Sequence, residues 1–210
     1  MYPTTRRNRV MTVSGTGKVK AQPDMVTIEL GVMTEGRELR EVQEDNARVM
    51  QQVIESIVKM GVPEESIQTV EYSVVPRYDY DNGQQVFRGY QVTNRVSITI
   101  EDIPLTGAIV DSAVQSGANQ VSGITFSVKN PDMLYQQALS EALRDAYGKA
   151  VTMAQAMRLQ LDPSPIKVIE RGEENAVPLA KAGTFASATP IEPGELQIEA
   201  AVEVQFQFFA

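Results

Sequence analysis

The sequence predicts an α+β fold in which a strand–long helix–strand–strand unit is duplicated and a mostly antiparallel sheet carries the long helices on one face. Three observations predict it. Several segments alternate apolar and polar residues with a period of two, as half-buried strands do. Two long segments carry apolar residues at three- and four-residue steps, as amphipathic helices do. Asn82-Gly83 lies between two alternating runs, and that pair suits a tight hairpin turn because both turn residues need positive φ. The copies span residues 25–100 and 121–208, joined by a short helix at 104–116.

Residues 1–9 read as a disordered arm. Residues 10–17 read as a short strand ending in a Gly-rich turn. In 25–34, Val26, Ile28, Leu30 and Val32 share one face of a strand. Residues 37–60 are helical, with Leu39, Val42, Val49, Val53, Ile57 and Met60 on one stripe, and Gly61 and Pro63 end the helix. At 1.5 Å per residue it is about 36 Å long. Strands at 67–80 and 87–100 flank the Asn82-Gly83 turn; Tyr72, Val74, Pro76, Tyr78 and Tyr80 are in phase on the first.

The second copy opens with a strand at 121–129. Asn130, Pro131 and Asp132 supply a capping side chain, a first-turn Pro and a first-turn acid for a helix running to about Leu159. Its stripe is Tyr135, Ala138, Ala142, Ala146, Ala150, Met153 and Met157, and the small alanines let another backbone come close. Pro163 and Pro165 mark its exit, before a strand at 166–171. The final strand, 196–208, places seven apolar residues in alternation. Where the first copy has a two-residue turn, the second has residues 172–194, rich in Ala, Gly, Pro, Ser and Thr. A junction that long is read as a flexible loop and a candidate partner surface.

Composition removes whole classes of chemistry. The 210 residues hold no Cys, His or Trp. Disulfides, thiol nucleophiles, thiolate metal sites, imidazole catalysis and His-based zinc sites are therefore excluded. The net charge is −8. Nucleic acid is not an expected partner, because its binding needs a basic surface to displace counterions. No run approaches the ~18 apolar residues of a membrane helix. The basic start through Arg9 is not followed by the apolar stretch of a signal peptide, so a cytoplasmic location is expected of the chain as written; a periplasmic or secreted location is the alternative if a leader was removed.

Each candidate site has a plainer explanation. Gly15-Thr16-Gly17-Lys18 has the look of a phosphate loop, but a dinucleotide fingerprint needs Gly where Lys20 stands, so a turn between strands is favoured. Asp79 to Gly83 resembles the start of a calcium loop, which fails at Gln84 and Tyr90. The pairs Glu64/Glu65 and Glu173/Glu174 sit in polar segments and read as solvated surface. Tyr72, Tyr78, Tyr80, Phe87 and Tyr90 gather on one hairpin, where cross-strand packing in a core is favoured over an interface. Arg6, Arg7 and Arg9 read as a solvated tail. No catalytic, cofactor-binding or metal-binding residue is assigned, and no cofactor is expected.

Three segments together carry a family resemblance. They are Val13-Ser-Gly-Thr-Gly-Lys-Val19 with Gln22-Pro23-Asp24, then Arg88-Gly-Tyr90-Gln-Val92-Thr-Asn94-Arg-Val96, then Thr189-Pro-Ile-Glu-Pro193-Gly194-Glu195. On these the chain resembles the SIMPL domain family, which includes bacterial periplasmic immunogenic proteins, over about residues 10–208. The resemblance implies an α+β fold, a non-enzymatic role, assembly into ring- or channel-like oligomers, and envelope or oxidative-stress associations. The function expected is thus a structural, self-assembling protein with itself as partner. The alternative is a module that binds a peptide or small ligand without catalysis.

Overall fold

The computed structural model describes residues 9–81, 83–171, 177–179 and 189–209. Along the chain these form β1 (Val10–Ala21), β2 (Met25–Gly36), α1 (Leu39–Lys59), β3 (Ile67–Asp81), β4 (Gln84–Ile100), α2 (Thr106–Gln115), β5 (Gln120–Ser127), α3 (Pro131–Ala156), β6 (Gln160–Glu170), β7 (Val177–Leu179) and β8 (Glu195–Phe209). The fold is α+β, and every strand pair is antiparallel. The described residues form two four-stranded sheets where a single one was expected. One has the order β3-β4-β2-β5; the other has β1-β8-β6, with β7 also pairing β8.

Each sheet belongs to its own compact unit. The first unit comprises residues 23–127 and 182–193. There the alternation of β2 sends Val26, Ile28, Leu30 and Val32 into a core with Val96, Ile98 and Ile100 of β4. Helix α1 supplies Met50, Val53 and Ile57 to it, and α2 supplies Ile109, Val110 and Ala113. Asn46 also sits in the buried stripe of α1, a position that apolar counting passes over. Residues Thr189 to Pro193 belong to this unit as well: the Thr189 hydroxyl donates to Asp111 of α2 at 2.7 Å, and Ile191 packs on the core.

The second unit comprises residues 1–22, 128–181 and 194–210. Helix α3 lies on β1 and β8, and its stripe of Ala138, Ala142, Ala146 and Ala150 is fully buried. On β1, Met11, Val13, Gly15 and Gly17 all point toward the helix. A Cβ built on Gly15 would stand 2.7 Å from the Ala146 nitrogen and would collide with the Ala142 carbonyl. The Gly-Thr-Gly motif is therefore the contact that lets helix and strand backbones touch, not a turn; β1 continues through it to Ala21.

Other boundaries shift for physical reasons. The strand at Gln120–Ser127, read as opening the second copy, is hydrogen-bonded to β2 in the first unit. Pro163 and Pro165 lie inside β6, where the register slips twice; β6 is an edge strand, and an edge tolerates the missing N–H. Met153 and Met157 are about half exposed, and Ala154 takes the buried position. Asn130 precedes α3 but makes no side-chain cap bond.

Candidate functional site

The surface of greatest interest is the far end of the β3–β4 hairpin. The sequence builds it from two long alternating runs closed by a turn in which Gly83 has φ of +80°; Asn82 lies outside the described residues. Beyond Val75 every residue of β3 is exposed, and so are Gln84 to Arg88 of β4, so the hairpin is clothed on neither face. In the pairing, Tyr78 stands opposite Phe87 and Pro76 opposite Tyr90.

Tyr78, Phe87 and Tyr90 meet edge to face, with ring centroids 5.6 and 5.3 Å apart. That geometry suits their quadrupoles. Cross-strand pairing thus holds, but the expected core packing does not. Tyr78 is 46% exposed, Phe87 45% and Tyr80 79%. The physical reason is position: β3 is an edge strand with no buried residue along its length, and Gln84 to Arg88 of β4 lie beyond the last residues that pair with β2. Arg88 and Asp79 pair at 2.6 Å, and Arg77 pairs with Glu35 of β2 at 2.5 Å while also donating to Gln91. Asp79 is therefore an ion-pair partner in this structure.

A second polar arrangement lies on β1 and α3. Asp145 accepts the Thr16 backbone N–H at 2.9 Å, and Lys149 donates to Asp145 at 2.6 Å and to the Ser14 carbonyl at 3.0 Å. The Lys149 hydrogen bond, helped by the Thr16 N–H, holds the Asp145 carboxyl below its ordinary value of 3.8. A surface groove runs beside them, lined by Thr12, Ser14, Gly148, Thr152 and Met153. Sequence reading missed this pair, although Asp145 and Lys149 stand four apart on one helix face.

The remaining candidates disperse. Glu64 and Glu65 are exposed in a single 3-10 turn. Arg6, Arg7, Glu173 and Glu174 lie outside the described residues, as does most of the 172–194 junction. Arg95 bridges Glu29 and Glu71 at 3.3 and 3.1 Å on the sheet's outer face, a set in which each acid shares one guanidinium. Among the described residues no group of three acids, His or Cys is placed to hold a metal, and no helix is long and apolar enough to cross a membrane.

These features define an α+β protein whose most distinctive surface is an exposed aromatic hairpin. The chain belongs to the SIMPL family, described as proteins of unknown function (DUF541), whose model matches residues 11–206. It is similar to the 26 kDa periplasmic immunogenic protein of Brucella melitensis, 26% identical over 97% of this chain and 86% of that protein. It is also similar to the uncharacterized protein YggE of Escherichia coli K12, 22% identical over 92% of this chain and 81% of YggE. Neither relative is named as an enzyme. The names also correct the cytoplasmic expectation: relatives aligned along nearly the whole chain are named periplasmic.

Proposed function

We propose that this chain is a non-enzymatic, self-assembling protein of the bacterial periplasm, serving the envelope or its response to stress. The observation that carries the reading is the aromatic hairpin end: Tyr78, Tyr80 and Phe87 are exposed together on strands that extend past their own core. Covering rings of this size stabilises an interface by roughly 1–2 kcal/mol each when they start half exposed. A second copy is the simplest cover, since most soluble oligomers are homo-oligomers. The name of the Brucella melitensis relative supports the periplasmic location.

The two units are read as a duplicated scaffold. The order β3-β4-β2 in one matches β6-β8-β1 in the other, and in each the long helix packs on the first strand of the trio in chain order. This supports a building-block role more than two separate active lobes.

The test is mass in solution by light scattering at micromolar concentration. Several subunits are expected for the wild type, and a lower mass with unchanged melting for Tyr78→Ser with Phe87→Ser. A wild type that stays strictly monomeric overturns the reading. One observation favours the alternative of peptide binding: the outer edge of β3 has no strand beside it among the described residues, and such edges accept extended peptides. A monomer that binds extended peptides would select it.

A further inference from the structure

The segment from Thr189 to Glu195, one of the three that carry the family resemblance, takes no part in the aromatic hairpin. Its path changes unit twice. β7 and β8 pair in the second unit, with Val177 opposite Gln197 and Leu179 opposite Glu195. The chain between them nonetheless belongs to the first unit over residues 182–193 and returns to the second at Gly194. Gly194 has φ of +65°, a conformation that favours glycine, and β8 starts at the next residue.

What holds this excursion is a seat on α2. Gly107 and Asp111 stand four apart and share one face of that helix. Gly107 is the floor: a Cβ there would stand 2.5 Å from the Thr189 carbonyl oxygen, which is backbone and cannot rotate away. Asp111 is the grip. One of its carboxylate oxygens accepts the Thr189 hydroxyl at 2.7 Å, and the other accepts the Thr189 N–H at 3.4 Å. The carbonyl, amide and hydroxyl of a single residue are thus met by two residues of the helix. Two positions on, Ile191 packs against the core of the first unit.

We propose that Gly107 and Asp111 form a clasp that selects a hydroxyl residue at position 189, and that this clasp holds β7 on β8. β7 is only three residues long. So short a strand has little pairing to set against the entropy of closing residues 180–194 into a loop. Fixing Thr189 on α2 divides that loop, so less freedom is lost when β7 pairs. The coupling is reciprocal, because β7 pairing in turn limits where Thr189 can wander. A change on α2 of the first unit therefore reaches the sheet of the second unit through the chain itself. The clasp goes beyond the assembly reading and requires neither a second copy nor a bound peptide.

The test is hydrogen exchange, residue by residue, on the full chain at a concentration where its mass is constant. The reporters are the Thr189 amide, the Val177 and Leu179 amides of β7, and the Ile28 amide of β2 as a control. Asp111→Ala is expected to speed exchange at Thr189 and along β7 at least tenfold and to leave Ile28 unchanged. Gly107→Ala is expected to do the same, although alanine in place of glycine favours an isolated helix. Thr189 is exposed, so Thr189→Val removes the hydroxyl without endangering the fold, should Asp111→Ala fail to fold. Thr189→Val is expected to speed β7 exchange, and Thr189→Ser to keep it within twofold of wild type. Thr189 exchange unchanged by Asp111→Ala overturns the proposal. So does faster Thr189 exchange with β7 unchanged, or a wild-type β7 that exchanges as fast as a free peptide. Thr189→Ser behaving as Thr189→Val overturns the selection for a hydroxyl.

Discussion

Gly15 of β1 lies directly beneath Ala146 of α3: a carbon added to Gly15 would stand 2.8 Å from the Ala146 Cβ. Neither residue has room to grow. Gly17 repeats the contact one step along, against the Ala142 nitrogen at 2.6 Å. Helix and strand are therefore held at a separation set by backbone atoms, and packing of this kind tolerates no added volume.

Gly15→Ala is expected to destabilise the chain by about 1–3 kcal/mol, because the obstructing atoms are backbone and cannot rotate away. Ala146→Asp is expected to cost more, several kcal/mol, since it adds both bulk and an unpaired buried charge. Urea denaturation followed by circular dichroism reads both. An unchanged midpoint for Gly15→Ala would show that the helix stands farther off than described.

The Asp145 carboxyl gives stability a pH dependence of known sign. Its folded pKa lies below the ordinary 3.8, through the Lys149 hydrogen bond and the Thr16 N–H. A depressed pKa means that the native state holds its proton less tightly than the unfolded chain. The stabilisation is full above the ordinary carboxylate pKa and is lost as pH falls through the folded value. Asp145→Asn should therefore lower the melting temperature at pH 7, and the gap to wild type should narrow by pH 3. A gap of constant size would mean that the carboxylate charge contributes nothing.

How far the sequence carried this reading depends on what each signal measures. Alternation placed Val26 to Val32 and Leu196 to Phe206 correctly, because a buried face leaves its period in the residues themselves. The stripe of alanines on α3 likewise signalled close approach. What it approached was hidden: Gly15 and Gly17 look the same whether they relieve a turn or a helix contact. Pairing across the chain was hidden too. No local pattern says that 120–127 joins β2, since register between distant strands leaves no mark in either. The exposure of Tyr78 and Phe87 was missed because an aromatic in phase reads as core until the strand's place at the sheet edge is known.

Tyr135 and Glu170 give a smaller effect of the same origin. The Tyr135 hydroxyl donates to the Glu170 carboxylate at 2.7 Å, tying the first turns of α3 to the end of β6. Tyr135→Phe keeps the ring and removes the bond. A hydrogen bond to a charged group that is only partly buried is worth about 1–2 kcal/mol. The expected loss is of that size, read by chemical denaturation, with faster amide exchange along β6. A variant as stable as wild type would make the bond a surface ornament.

Asn46 offers the sharpest separation of bonding from packing. It is fully buried on α1, and its Nδ2 donates to the Val32 oxygen at 2.9 Å and to the Val92 oxygen at 3.2 Å. One amide thus fastens the helix to β2 and β4 together, where the two strands lead out toward the aromatic hairpin. Its Oδ1 has no hydrogen-bond partner among the described residues. Asn46→Ala leaves two carbonyls without this donor and a small cavity as well, and about 2–4 kcal/mol should be lost. Asn46→Asp nearly keeps the shape but replaces the donor with an acceptor facing two carbonyl oxygens, and it buries a charge. It should therefore destabilise more than Asn46→Ala despite filling the space. If packing alone mattered, the order would reverse, and denaturation of the two variants side by side decides between them.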